Sequence, residues 1–222
     1  EPKFIPEEAV ELNINDNINM RVRLIDCVGY IVPSSVGYIE EEQPRMVKTP
    51  WYDEEIPFNM AAEIGTKKVI TEHSTIGLVV TTDGTITSIP RDEYEEAEER
   101  VIDELKALDK PFIVLMNTDN PKSPSSIALC TSLTEKYGVP VVPVNCLEMT
   151  EQEINEILTD ILYEFPVCSV GINYPSWINN LKSDNYLKSS IYTSIKENTN
   201  IIGNVRSVGV FAEKIKENEY VD

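Results

Sequence analysis

Histidine occurs once among the 222 residues, as His73. That scarcity excludes any metal or catalytic site built on two histidines, and His73 falls at the end of an expected helix, where packing is the ordinary role. Cysteine is also scarce: Cys27, Cys130, Cys146 and Cys168 have no CxxC spacing. Neither a zinc site nor a disulfide framework is indicated, and three of the four sit in apolar settings that suit buried, reduced thiols. Positive charge is short as well, with 19 Lys and Arg against 38 Asp and Glu and a formal charge of -19. A nucleic-acid groove and direct attachment to anionic lipid both need clustered cations, so both are excluded. No apolar run reaches the roughly 18 to 20 residues that span a bilayer, and no charged-then-apolar signal opens the chain. The expected location is cytoplasmic, with any membrane contact made through an intermediary. Finally, no GxxxxGK(S/T) phosphate loop occurs in the 222 residues. With a start at Glu1 rather than Met, and a first element that reads as the second or third strand of a larger fold, the chain is expected to be a piece of a longer protein.

What is present is an ordinary globular composition, 41% hydrophobic and 26% charged, in a length that suits one α/β domain plus an appendage. Apolar or alternating runs at 9–14 and 20–28, joined by Asn15-Asp16-Asn17, predict an antiparallel hairpin leading to a turn at Asp26. From 29 to 57 the pattern breaks, with four prolines and two acidic clusters, and predicts a long irregular excursion of the kind that is usually functional or mobile. Regular structure resumes as a helix over 58–73 and a strand over 76–81, the latter expected to be buried on both faces. A helix follows with Tyr94, Ala97, Val101, Ile102, Leu105 and Leu108 on one stripe and Glu95, Glu96, Glu98 and Glu99 on the solvated side. A buried strand at 111–116, a helix around 125–137, a strand at 139–144 and a helix through Ile154, Ile157, Leu158, Ile161, Leu162 and Phe165 complete the alternation. Such alternation predicts right-handed crossovers and a mainly parallel sheet with helices on both faces. Beyond Pro166 the spacing of Trp177, Leu181, Leu187, Ile191 and Ile195 marks the helical start of another module, whose charged end at 212–222 is expected to fray.

In open parallel sheets ligands bind beyond the carboxyl ends of the strands. The informative positions are therefore Asp26 to Gly29, Thr81 to Gly84, Asn117 to Asn120, and Asn145-Cys146. In nucleotide hydrolases of the P-loop class an Asp at a strand's end holds magnesium through a water, and a glycine three residues later brings its amide to the terminal phosphate. Asp26 and Gly29 have that spacing. A guanine-reading enzyme would carry NKxD at the third position, whereas Asn117-Thr118-Asp119-Asn120 lacks both the Lys and the final Asp. The glutamine that would position water is also replaced, by Tyr30.

Longer stretches resemble one family. RLIDCVGYIVPSSVGYIEEE, PRMVKTPWYDEEIPF, AAEIGTKKVITEHSTIGLVVTTDGTI, AEERVIDELK and LYEFPV are similar to the stage IV sporulation protein A family of spore-forming Firmicutes, ATPases that build the basement layer of the spore coat. The resemblance implies a truncated P-loop ATPase domain over 1–166, related to translation-factor-like GTPases, and the start of a middle domain over 167–222. It implies ATP and Mg as cofactors and hydrolysis that drives self-assembly into a homopolymer on the outer forespore surface, in the mother-cell cytoplasm. The membrane would be reached through stage V sporulation protein M, an amphipathic peptide, with other coat proteins joining through regions outside this chain. A Walker A loop and a Thr-rich sensor segment upstream, and a C-terminal region downstream, are implied as well. Residue by residue, Asp26 matches the magnesium-holding acid and Gly29 the glycine nearest the terminal phosphate. Thr81, Thr82 and Asp83 match a family string, with nucleotide contact and strand closure both open as roles, and Asn117 and Asp119 are base-side candidates. Two other readings are a scaffold of the same fold without turnover, which Tyr30 and the altered NKxD permit, and an unrelated soluble GTPase, which Asn117 to Asn120 disfavours.

Overall fold

The computed structural model describes residues 6–15 and 18–221, with the side chains of Asn15 and Ile18 outside the description. They divide into two compact units between Leu158 and Thr159.

In the first unit, β1 (Val10–Asn15) and β2 (Ile18–Val22) pair antiparallel, as the alternation predicts. The expected turn residues Asp16 and Asn17 lie outside the described residues. The strand expected to continue to residue 28 stops at Val22, and residues 23–32 have no regular structure. Leu24 is 75% exposed and Val28 is exposed too. The alternation of Val22, Leu24 and Val28 suits a pleated surface, but no described strand pairs with this segment, and an unpaired backbone gains nothing from extension.

The excursion is more regular than its prolines suggest. Two antiparallel hairpins occupy it, β3 (Ile39–Glu40) with β4 (Gln43–Pro44), and β5 (Met46–Thr49) with β6 (Tyr52–Pro57). Each proline sits where its missing N–H costs little, Pro44 and Pro57 at strand ends and Pro33 and Pro50 in turns, and the β-branched pair Val47 and Ile56 lies in register across the second hairpin. Helix α1 (Phe58–Lys68) then continues into a π-helical turn, Val69–His73.

The centre of the unit is a parallel sheet in the order β7 (Gly77–Thr82), β8 (Phe112–Asn117), β9 (Val141–Val144), as the apolar runs predict. Between β7 and β8 lie a 3₁₀ turn, Arg91–Tyr94, and α2 (Glu95–Ala107); between β8 and β9 lies α3 (Pro124–Tyr137). Helix α3 begins with Ser123 capping the Ser126 amide and Pro at its first turn, and stops at Gly138 in the left-handed conformation. One face of the sheet packs Val79, Val114 and Met116 against Ile102 and Leu105 of α2 and Cys130, Leu133 and Tyr137 of α3. Burying each large apolar side chain there contributes about 1.5–3 kcal/mol relative to exposure. On the other face Ile113 and Leu115 are buried, yet Leu78 and Val80 of β7 are exposed, Val80 at 59%. The expectation that this strand is covered on both faces therefore holds for β8 and fails for β7, whose only partner among described strands is β8.

Helix α4 (Glu151–Tyr163) runs across the division between the units. The second unit contains α5 (Ser176–Asn179), α6 (Tyr186–Asn198) and α7 (Val205–Lys216). The chain end expected to fray is helical through Lys216. A capping box between Asn204 and Ser207 starts α7, and the pairs Lys216–Glu213 and Lys214–Glu217 close it. Among the described residues no helix is long and apolar enough to cross a membrane.

Candidate functional site

The carboxyl ends of the three parallel strands hold a connected set of polar side chains. Asp83 follows β7 directly. Its Oδ1 accepts from the Thr85 amide at 3.0 Å and the Thr85 hydroxyl at 2.6 Å, an Asx-type turn, and its Oδ2 accepts from Thr118 Oγ1 at 2.6 Å and Ser126 Oγ at 3.5 Å. Burial alone would raise the Asp83 carboxyl, but these donors outweigh it and hold the carboxyl below its ordinary range. Thr118 is 1% exposed. Its hydroxyl stands where a guanine-reading loop would carry Lys, and it is committed to Asp83.

The neighbouring loops are tied to the same cluster. The Asp119 amide donates to Thr85 Oγ1, and the Gly84 amide to Thr82 Oγ1. Asn117 Oδ1 accepts from the Cys146 amide at 3.0 Å, which fastens the loop after β9 to the end of β8. The structure thus gathers Thr82, Asp83, Asn117 and Asp119 at one sheet end. Thr81 lies one layer below: its hydroxyl accepts from Arg91 at 3.2 Å, and Arg91 forks onto Glu98 with two bonds of 2.7 Å. Tyr137 donates to the same Glu98 carboxylate at 2.5 Å.

Glu98 is 4% exposed, whereas the helical pattern assigns it to the solvated face. Thr85, Ser126, Arg91, Glu98 and Tyr137 are absent from the sequence-predicted site. Two signals were available: the Asp-Gly-Thr turn after an apolar strand, and the seven-residue spacing from Arg91 to Glu98, which returns to the same helix face. Tyr137 comes from a different helix and has no such signal. The buried-thiol expectation holds for Cys130, pushed up to about 11 by burial and by the charge of Asp83, while Cys27, Cys146 and Cys168 are exposed.

Asp26 and Gly29 belong to a second constellation. Asp26 is exposed and makes no hydrogen bond or ion pair with a described residue. Gly29, at φ +79°, donates its amide to Thr66 Oγ1 of α1 at 3.0 Å. Tyr30 donates to Glu104 of α2, and the Arg100 guanidinium lies 4.2 Å from the Tyr30 ring centroid. Burial first, then the Glu104 carboxylate, raises the Tyr30 phenol well above its ordinary value, so it stays protonated and cannot serve as a base. No described side chain bridges the Asp26 turn to the Asp83 cluster. Among the described residues no group of three or more His, Cys, Asp and Glu side chains could hold a metal. Asp26 offers one free carboxylate, which suits magnesium held through water, with the remaining positions left to water and phosphate oxygens.

The family model for the ATPase domain of stage IV sporulation protein A matches residues 1–166, and that for its middle domain matches residues 167–222. Stage IV sporulation protein A of Bacillus subtilis (strain 168) and that of Clostridioides difficile (strain 630) are each 47% identical to the chain over all 222 residues, and the Bacillus anthracis protein is 46% identical. The chain spans 45% of the length of each of these relatives. No solved structure matches it. On these matches the chain belongs to the stage IV sporulation protein A family.

Proposed function

We propose that this chain is part of an ATP-hydrolysing assembly protein that builds the basement layer of the spore coat. The match to the family's ATPase domain carries the reading. Three further observations support it. The parallel sheet ends in a polar cluster at its carboxyl edge, the place where open α/β sheets bind ligands. The Asp26–Gly29 spacing is that of a magnesium-holding acid and a phosphate-facing glycine, and Asp26 has no competing partner among the described residues. The residues after β8 lack the Lys and Asp that read guanine, and the Thr118 hydroxyl is spent within the protein.

In this reading the sheet is part of a P-loop NTPase fold of the translation-factor type, with residues 1–166 as its domain and 167–222 as the start of a middle domain. Asp26 holds Mg through water, which supplies charge neutralisation at the transferring phosphoryl group. The Gly29 amide faces the terminal phosphate, while Thr82 and Asp83 shape the floor and Asn117 and Asp119 border the base. The phosphate-cradling loop, absent from these 222 residues, is supplied by the rest of the longer protein. Tyr30 is not the water-activating group, since its hydroxyl is engaged by Glu104. The net charge of -19 fits a protein that binds no nucleic acid and reaches the forespore membrane through the amphipathic stage V sporulation protein M; self-polymerisation in the mother-cell cytoplasm comes from the family reading.

The test is Asp26→Ala in the full-length protein. An exposed side chain with no partner contributes within about 0.5 kcal/mol to stability, so the melting temperature should hold while phosphate release from ATP falls by roughly 10²-fold or more. Unchanged turnover would remove Asp26 from the reaction. Absence of turnover in the wild type, with polymer still forming, would replace the ATPase by a scaffold of the same fold.

A further inference from the structure

Gly29 marks a boundary in the turn. On its C-terminal side the chain is anchored: Tyr30 rests under Arg100 with its hydroxyl on Glu104, and Arg100 bonds Glu63 of α1 at 2.9 Å. On its N-terminal side Leu24, Asp26 and Val28 are exposed. Between them stands a reciprocal pair. The Gly29 amide donates to Thr66 Oγ1 at 3.0 Å, and the Thr66 hydroxyl donates toward the Gly29 carbonyl at 3.3 Å. Thr66 is 2% exposed, so its hydroxyl is screened from water and both of its bonds are with Gly29. A Cβ built on Gly29 would meet nothing within 4 Å, so the side-chain face of the glycine is open.

We propose that Thr66 is a latch on the Asp26–Gly29 turn, holding the Gly29 amide until a terminal phosphate oxygen competes for it. This rests on the reading of Gly29 as the phosphate-facing glycine. One N–H has two acceptors in prospect, a neutral hydroxyl and a charged phosphate oxygen, and the charged acceptor makes the stronger bond. ATP therefore draws Gly29 off Thr66, and the unanchored residues 24–28 move with it, while Tyr30 remains fixed on α2. ADP has no oxygen to offer there and leaves the latch closed. The position of Asp26 thus comes to depend on the terminal phosphate, through a side chain that touches neither nucleotide nor metal.

The test uses Thr66→Val in the full-length protein, which keeps the shape of the side chain and removes the hydroxyl. Calorimetric titrations with Mg and a non-hydrolysable ATP analogue, and separately with ADP, should show ATP-analogue affinity raised about fivefold, equivalent to ~1 kcal/mol for one net hydrogen bond, with ADP affinity unchanged. Thr66→Ser retains the hydroxyl and should return the wild-type ratio of the two affinities. A Thr66→Val protein in which ATP-analogue affinity is unchanged or weakened, or in which ADP affinity rises equally, would overturn the latch. Should Thr66→Val not fold, Thr66→Ala removes the same hydroxyl and carries the same expectation; if neither folds, the contact is structural and the latch is overturned. A wild-type protein that binds neither nucleotide would instead overturn the ATPase reading, a separate and visible outcome.

Discussion

Glu98 is a carboxylate almost wholly removed from water, and its two oxygens are met by the Arg91 fork and the Tyr137 hydroxyl. Burial would raise this carboxyl, but hydrogen bonds from Arg91, Thr81 and Tyr137 hold it below its ordinary value. Removing one partner of a buried pair strands the other charge, so Glu98→Ala should destabilise the protein by about 3–5 kcal/mol, read from denaturant midpoints. The pH dependence has a definite sign. Because the folded carboxyl titrates below the unfolded one, its stabilisation is complete above the ordinary carboxylate range and is lost as pH falls through the depressed folded value. The stability gap between wild type and Glu98→Gln should therefore be full at neutral pH and shrink below about pH 4; a gap that widens on acidification would contradict this. Glu95, Glu96, Glu98 and Glu99 look alike in sequence, and only the helix packed opposite distinguishes Glu98. Asp83 was more legible, since an acid at a strand end followed by Gly and Thr specifies a local turn without help from elsewhere.

The connection from β7 to α2 shows what an element end requires. Gly84 has φ +88°, and a Cβ there would lie 3.0 Å from the Arg91 backbone nitrogen. Both the backbone angle and the close approach oppose any side chain. Gly84→Ala should cost on the order of 1–3 kcal/mol, with the loss confined to the loop that carries Asp83 and visible as faster amide exchange at Thr85 and Asp119. Unchanged exchange at those amides would mean that the turn does not depend on the glycine. The three parallel strands were readable because each is a short apolar run closed by a polar residue, a pattern that needs no knowledge of its neighbours. The run through Asp26 has comparable letters but no described partner strand. The hairpin β5–β6 was hidden for the opposite reason, since its prolines lie at harmless positions that composition cannot distinguish from disruptive ones.

For the whole molecule, the charge of -19 disfavours direct contact with nucleic acid or anionic lipid, and no helix among the described residues is long and apolar enough to cross a membrane. Residues 1–166 match the family's ATPase domain, and the polar cluster after the strands occupies the edge at which open α/β sheets bind ligands. Base choice separates the account from its rivals. A site that reads guanine leaves unpaired groups when its acid is replaced, and Asn120 stands where that acid would be. The direct measurement is phosphate release by the full-length protein from ATP and GTP in competition, with polymer followed by sedimentation in the same samples. ATP should be hydrolysed in preference by about tenfold or more, polymer should accompany hydrolysis, and Thr118→Lys with Asn120→Asp should shift the preference toward GTP. Preference of the wild type for GTP, or polymer forming while neither nucleotide is hydrolysed, would contradict the ATPase reading.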